Sequence, residues 1–150
     1  MNALQWTYKH FDSLEIKELY AIMRLRSAVF VVEQNCPYLD PDDYDQKAYH
    51  LCGWNKNILV AYARILPPGL IYDEASIGRV VTATTYRGSG SGRALMLTAI
   101  DKTLLQYHVN AITISAQLYL QEFYTSLGFK IVSEPYLEDE IPHIKMVYTK

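Results

Sequence analysis

Glycine and serine alternate in a short stretch of the chain, residues 87–93. Glycine has no Cβ, so neighbouring backbone N–H groups in such a stretch can converge on one anion. A helix that begins directly after the glycines would add the positive end of its dipole. The stretch predicts a pyrophosphate-binding loop or, in the simpler alternative, a turn that only caps a helix. The residues of this candidate loop are Arg87, Gly88, Ser89, Gly90, Ser91, Gly92 and Arg93.

Other phosphate-binding and nucleophile motifs do not fit the spacing of this loop. A nucleoside-triphosphate loop requires Lys and then Ser or Thr after its last glycine, where this chain has Arg93 and Ala94. A dinucleotide loop that starts at Gly88 and Gly90 requires a third glycine at position 93. The Gly-x-Ser-x-Gly turn of serine hydrolases is absent, because glycine occupies its serine position. The chemistry of these motifs is therefore disfavoured.

The pattern that the loop does contain is Arg-x-x-Gly-x-Gly, formed by Arg87, Gly90 and Gly92. It resembles the coenzyme A pyrophosphate loop of the GNAT superfamily of N-acetyltransferases. The resemblance implies that acetyl-CoA is the co-substrate that donates the acyl group. It also implies that the strand before the loop runs beside the pantetheine arm and faces the thioester. The strand residues concerned are Val80, Val81 and Thr82.

A second motif follows further along the chain, with Phe123-Tyr124 before Gly128-Phe129. It resembles the second cofactor motif of the GNAT superfamily. The resemblance implies that Tyr124 lies beside the sulfur of the cofactor, where it can protonate the departing thiolate, and that Gln117 contacts the pantetheine. Without the first motif, Tyr124 would be interpreted as a core residue.

Three more segments carry a narrower resemblance. They are residues 26–38, with the sequence Arg-Ser-Ala-Val-Phe-Val-Val-Glu-Gln-Asn-Cys-Pro-Tyr, then His50-Leu51, and Ile141-Pro142-His143-Ile144. They resemble the ElaA-like subgroup of GNAT proteins, and with the two cofactor motifs they extend over nearly the whole chain. Glu140 departs from this pattern, because a glycine is expected there. The resemblance supplies no acceptor substrate.

An amine acceptor needs a base, because an alkylamine with a pKa of about 10.4 is almost wholly protonated at pH 7. The candidate bases are Glu33, His50 and His143, and the resemblance ranks Glu33 and His143 first because it places their segments at the substrate end of the cofactor. Attack on the thioester would be direct. Backbone N–H groups near Val81 would hold the tetrahedral oxyanion, with no covalent acyl-enzyme.

Acidic residues before His50 admit two interpretations. They could attract a cationic amine, or they could form a solvated loop with Asx turns. The residues are Glu33, Asp40, Asp42, Asp43 and Asp45. A zinc site is disfavoured, because no paired Cys-x-x-Cys spacing supports its four candidate ligands, Cys36, His50, Cys52 and His143. A calcium loop is also disfavoured by spacing, so no metal is expected.

The alternation of strand and helix patterns predicts one domain over residues 1–150, in the order β-α-β-β-β-α-β-α-β-β. We expect an α/β (α+β) fold, with a GNAT-like mixed, mostly antiparallel sheet of about seven strands flanked by helices. A capping box at Asp12 and Glu15 should start the first helix. Its predicted core stripe is Ile16, Leu19, Tyr20 and Met23.

The bulk composition constrains partners and location. A formal net charge of -2 gives no general basic face for nucleic acid, and no apolar run of membrane-spanning length is present. Two cysteines favour a reduced, cytoplasmic protein. We therefore expect a small-molecule or peptide amine as substrate, without a nucleic-acid or membrane partner, and leave a homodimer open.

Three alternatives to an N-acetyltransferase remain at this point, and the least favoured is a nucleic-acid-binding module, because such a module needs a basic stripe and salt-sensitive binding. A non-catalytic acyl-CoA-binding module would carry the same cofactor motifs without chemistry. The Arg-x-x-Val-Phe pattern from Arg26 to Phe30 also resembles autoinducer synthases, which make acyl-homoserine lactones from carrier-bound acyl groups. The sequence does not identify the acceptor amine.

Overall fold

The computed structural model describes residues 3–150, and these residues form one eight-stranded sheet. Its spatial order is β1-β2-β3-β4-β5-β8-β6, and β7 pairs with β8 outside this path. The strands are β1 Gln5–His10, β2 Tyr49–Asn55, β3 Ile58–Leu66, β4 Ala75–Thr82, β5 Ala111–Gln117, β6 Phe129–Ile131, β7 Tyr136–Glu138 and β8 Ile141–Thr149. The α-helices are α1 Ile16–Arg26, α2 Ser91–Tyr107 and α3 Gln121–Ser126, and a π-helical segment, Ser27–Glu33, continues α1.

The pairing of the strands confirms the predicted mixed, mostly antiparallel sheet. The pair β4 and β5 is parallel, and each of the other pairs in residues 3–150 is antiparallel. The sheet has eight strands, where about seven were predicted. The strand without a predicted counterpart is β7, whose three residues are too few to show an alternating pattern.

The two faces of the sheet carry separate hydrophobic cores. One core lies under α2 and α3 and includes Leu95, Ile112 and Ile114. The other lies under α1 and the π-helical segment and includes Ile22 and Val29. Because side chains alternate along a strand, residues on either side of Ile112 and Ile114 face α1. The sheet is therefore a middle layer with a distinct chemical environment on each face.

The first helix turns a different face to the core from the predicted one. Ile16 and Tyr20 of the predicted stripe are 89% and 72% exposed, while Ile22, Leu25 and Arg26 are buried. The observed stripe continues at Val29 with the same helical spacing, but an arginine occupies one of its positions. The capping box is also displaced: the Glu18 side chain accepts a hydrogen bond from the N–H of Glu15, at 2.8 Å.

A β-bulge interrupts β4 beside the junction with β5. Arg64 pairs with Gly78 and Tyr62 pairs with Val81, so a single β3 residue lies opposite two residues of β4. Arg79 adopts the left-handed backbone conformation there, with φ of 48°. The extra residue changes which side chains face which core: Val80 packs with the α2 side, while Val81 belongs to the α1 side. A bulge of this kind leaves one backbone unit outside the ladder.

The hairpin between β7 and β8 explains why glycine is expected at position 140. Glu138 pairs with Ile141, and the two turn residues Asp139 and Glu140 have φ values of 50° and 64°. Two positive φ values are the signature of a type I′ turn, whose second position favours glycine because side chains with a Cβ are strained there. Glu140 therefore holds an unfavourable backbone conformation.

We expect Glu140→Gly to raise the free energy of unfolding by about 0.5–1 kcal/mol, because relief of strain exceeds the added entropy of the unfolded chain. Urea denaturation would measure this. The matched control is Glu134→Gly, in the loop before β7, where φ is not positive. Glu134→Gly should lower the free energy of unfolding. An equal loss in Glu140→Gly would contradict the proposal that the backbone of Glu140 is strained.

Candidate active site

Strands β4 and β5 separate soon after they begin, and this separation creates a cleft. They pair only at Ala75 with Ile112 and at Ser76 with Thr113. Beyond these pairs the two strands border a cleft of about 610 Å³. Twelve of the residues that the sequence suggested for catalysis or cofactor binding line it: Glu33, Val80, Val81, Thr82, Arg87, Gly88, Gly90, Gly92, Arg93, Gln117, Tyr124 and His143.

Two members of the predicted loop do not line the cleft. The hydroxyl groups of Ser89 and Ser91 hydrogen-bond to each other at 2.8 Å, and Ser89 also donates to the carbonyl of Tyr86. These serines therefore stabilise the shape of the loop. Any contact that they make with a cofactor would come from their backbone.

The loop leads directly into α2, as the sequence predicted. Gly90 is the N-cap residue of α2 and has a φ of 85°, a conformation that favours glycine. The unpaired N–H groups of the first turn of α2 and the positive end of its dipole lie at this end of the cleft. Gly92 lines the same end, where a Cβ would be 4.0 Å from both Phe123 and Thr82.

We expect Gly92→Val to weaken coenzyme A binding at least about tenfold, because a side chain there blocks the approach of one charge-assisted hydrogen bond to the pyrophosphate. Gly92 has no positive φ, so the substitution adds no backbone strain in the free protein, unlike valine at Gly90. Calorimetry would measure the affinity. An unchanged affinity in a folded variant would contradict the assignment of the loop.

Tyr124 projects from α3 into the core below the cleft and is only 5% exposed. Its ring packs edge-to-face against Phe123 and Phe129, with centroid separations of 5.2 and 5.8 Å. Within residues 3–150 its hydroxyl group makes no hydrogen bond, although the residue lines the cleft. Burial raises the pKa of Tyr124, so the hydroxyl stays protonated near neutral pH. The protonated hydroxyl can donate to a departing thiolate, and the raised pKa makes it a weaker acid than an ordinary tyrosine.

His143 lies on β8, where it pairs with Gln117 of β5. Its Nδ1 atom is 2.7 Å from the carbonyl oxygen of Ile141, so Nδ1 must carry the hydrogen of that bond. The other ring nitrogen, Nε2, lies 3.4 Å from a carboxylate oxygen of Glu138. Nε2 is therefore the atom of His143 that can accept a proton. The sequence missed Glu138 because it did not predict β7.

Glu33 and Arg87 meet across the cleft. An Arg87 nitrogen is 2.6 Å from one oxygen of Glu33, and Thr84 donates to the other oxygen at 2.8 Å. The hydrogen bonds from Arg87 and then Thr84 lower the pKa of Glu33 below its ordinary value. A carboxylate stabilised in this way is a weaker base. The sequence placed both residues at the site but not in contact.

Three of the four aspartates that follow Pro37, Asp40, Asp42 and Asp45, are engaged by three arginines, and for these three this corrects the idea that they attract an amine. Asp40 and Asp45 are buried against Arg26, at 2.8 and 2.7 Å. Arg64 contacts Asp42 and Asp45, and Arg79 contacts Asp40 and Asp42. Three carboxylates and three guanidinium groups compensate one another, so little negative charge is left to attract a substrate.

His50 is excluded as the base by its contacts. Its Nε2 hydrogen-bonds to the Asp45 carbonyl at 2.9 Å, and its Nδ1 accepts from the Tyr62 hydroxyl at 2.7 Å. Burial lowers the pKa of His50, which keeps the ring neutral and structural. No group of three or more potential metal ligands occurs in the described part of the chain, so the four zinc candidates do not come together.

The separated strands, the bulge in β4 and the glycine loop at the start of α2 define an acyl-CoA N-acyltransferase fold. Residues 36–150 match the family described as "Acetyltransferase (GNAT) domain". The chain belongs to this GNAT acetyltransferase family. Among residues 3–150, no helix has the length and apolar character that would be needed to cross a membrane.

Named relatives confirm the resemblance to the ElaA-like subgroup. The chain is 42% identical to Protein ElaA of Escherichia coli over 145 residues, covering 95% of each chain. The crystal structure of Escherichia coli ElaA superposes with a TM-score of 0.91 at 41% identity, covering 97% of this chain and 99% of that one. An acyl-CoA N-acyltransferase from Pseudomonas aeruginosa gives a TM-score of 0.92 at 42% identity, covering 97% and 100%.

Proposed function

We propose that the protein is an acyl-CoA-dependent N-acyltransferase that moves an acetyl group from acetyl-CoA to a primary amine by direct attack. One observation carries this proposal. A single cleft connects the glycine loop before α2, the unpartnered hydroxyl of Tyr124 and the Nε2 edge of His143. An anion-binding end, a proton donor and a proton acceptor in one cleft are what acyl transfer to an amine requires.

The proposed reaction assigns one proton to each side chain. His143 Nε2 removes a proton from the ammonium group, and the freed nitrogen attacks the thioester carbon. A backbone N–H beside the β4 bulge, near Val81, stabilises the oxyanion of the tetrahedral intermediate. The carbon–sulfur bond then breaks, and Tyr124 gives its hydrogen to the thiolate. The second proton of the nitrogen restores the Tyr124 hydroxyl, His143 releases the first proton to solvent, and the acetyl amide and free coenzyme A thiol are the products.

His143 is the better candidate for the base than Glu33. The pKa of Glu33 is lowered by Arg87, whereas His143 keeps one ring nitrogen free of a backbone partner. His143→Gln should therefore reduce kcat more than Glu33→Gln does, once acetyl-CoA saturates the enzyme. The opposite order would transfer the role of base to Glu33.

The experiment that tests the proposal measures release of free coenzyme A thiol from acetyl-CoA across a panel of amines. We expect release with at least one primary amine, in proportion to the acetyl amide formed. Binding of acetyl-CoA without consumption by any amine would favour the non-catalytic acyl-CoA-binding module. Consumption of an acyl group from a carrier protein, with none from acetyl-CoA, would favour the autoinducer-synthase alternative.

A further inference from the structure

The cleft continues through the sheet to the α1 face, and a second cluster of polar side chains lies there. Because Ile112, Ile114 and Ala116 belong to the α2-side core, Ser115 and Gln117 face the opposite side. Directly paired residues share a face, so His143, Tyr136 and Glu138 face the same side through their pairings with β5 and β8. We call this group, Ser115, Gln117, Tyr136, Glu138 and His143, the α1-side cluster.

The loop after the π-helical segment covers the α1-side cluster. The Gln117 side chain donates to Gln34 at 3.4 Å, and the Cys36 thiol donates to the carbonyl of Asp139 at 3.3 Å. Gln34, Cys36 and Glu138 all line the cleft. The cluster therefore lines the part of the cleft that this loop borders, within the same cleft that the glycine loop lines.

Glu138 supplies the negative charge of the α1-side cluster; Asp139 also lines the cleft, but Glu138 is the carboxylate that contacts Ser115 and lies beside His143. Ser115 donates to one oxygen of Glu138 at 3.1 Å and also hydrogen-bonds to the Tyr136 hydroxyl, and His143 Nε2 lies near the other oxygen. Within residues 3–150, Glu138 has no ion pair with lysine or arginine. By contrast, Glu33 is paired with Arg87, and Arg79 is paired with two aspartates.

We infer that Glu138 is the residue that binds the acceptor, as the ammonium form of a primary alkylamine. This inference rests on the proposed function and specifies its substrate class. Most alkylamine molecules arrive as cations at pH 7, and a carboxylate beside the base holds the cation where its proton can leave. Bound there, the ammonium group is within the hydrogen-bonding range of Glu138, while His143 Nε2 receives the proton.

The test is calorimetric titration of amines into the protein saturated with coenzyme A, which cannot react because it carries no acyl group. The probes are benzylamine and n-butylamine, which are charged at pH 7, and aniline, which has a similar ring but no charge. Glu138→Gln removes the carboxylate. Glu140→Gln is the matched control, because it removes one negative charge from the same hairpin at a residue that does not line the cleft.

We expect the wild-type protein to bind both charged amines, and Glu138→Gln to weaken that binding about tenfold, as the loss of a hydrogen bond to a charged group predicts. Glu140→Gln should stay within about twofold, since exposed charges contribute little. Glu138→Asp should recover part of the affinity. Aniline should bind equally to all four proteins.

Three results would overturn the inference: no binding of either charged amine to the wild type, equal losses in Glu138→Gln and Glu140→Gln, or an equal loss for aniline. The last would indicate a structural role. The proposed function fails by different results, namely no binding of coenzyme A or no thiol release. If either of these results is found, titration of the amines into the protein without coenzyme A still tests whether Glu138 binds them.

Discussion

Replacement of Arg26 by methionine is expected to lower the free energy of unfolding by about 3 kcal/mol, the lower end of the effect of breaking a buried ion pair, because two buried carboxylates each lose one of their two arginine partners. Arg26 has no exposed surface, and it holds Asp40 at 2.8 Å and Asp45 at 2.7 Å. Methionine fills a comparable volume, so packing changes little. The loss therefore measures the charge compensation that Arg26 provides and not a cavity.

Urea denaturation of Arg26→Met and of Arg24→Met would measure the effect. Arg24 lies on the exposed side of the same helix, so its substitution should change stability by less than about 0.5 kcal/mol. Similar small losses of stability in both variants would contradict the ion-pair role of Arg26.

The pH dependence of stability gives a second measurement. Burial alone would raise the pKa of Asp45, but Arg26 and Arg64 lower it below its ordinary value.

The sign of the pH dependence follows from this lowered pKa. A carboxylate with a depressed folded-state pKa contributes stability above its unfolded value of about 3.9. That contribution is lost as the pH falls through the folded-state value. Wild-type stability should therefore decline below about pH 4, and Arg26→Met should show a weaker decline, because it lacks one of the two cations that lower the pKa of Asp45.

Tyr124→Phe is expected to reduce kcat by roughly 10- to 100-fold with little change in acetyl-CoA affinity. General acid catalysis contributes about 10²- to 10⁴-fold, and a thiol with a pKa of about 8.5 is already a fair leaving group, so the expected effect falls at or below the lower end of that range. Phenylalanine keeps the ring contacts with Phe123 and Phe129 and removes only the hydroxyl group. The loss should therefore appear in kcat.

The control for this variant is Tyr148→Phe. Tyr148 packs against Phe129 at a centroid separation of 5.6 Å, in the same aromatic group, but does not line the cleft. Steady-state kinetics on an active amine would compare the two. If both variants keep the wild-type kcat while chemistry limits the rate, Tyr124 has only a packing role.

The cofactor half of the site was predictable because its signals are local. A glycine loop between a strand and a helix needs only neighbouring residues, and Gly90 shows the positive φ that such a loop uses. The strands β2 to β5 were predicted within a few residues for the same reason, since alternation and turns are read from short segments. Contacts within one segment leave a clear pattern in the sequence.

The first helix was misread because its core stripe includes a charge. Ile22, Leu25, Arg26 and Val29 have helical spacing, but an arginine is expected on the solvent side of such a helix. It is buried only because Asp40 and Asp45, far along the chain, return to meet it. The same ion pairs compensate the charges of these aspartates, so the aspartates do not attract an amine as the sequence suggested. Ion pairs between separate segments of the chain produce no periodic pattern in the sequence.

The separation of β4 and β5 leaves two strand edges facing each other in the middle of the sheet, joined only at Ala75–Ile112 and Ser76–Thr113. Open edges can recruit strands from other chains, and proteins normally cover them. An extended amide-bearing ligand between the edges would complete their hydrogen bonding. The ligand-free protein should therefore show fast amide hydrogen exchange at residues 78–82 and a tendency to self-associate by strand addition. Both the exchange rate and the self-association should decrease when a ligand occupies the cleft between β4 and β5.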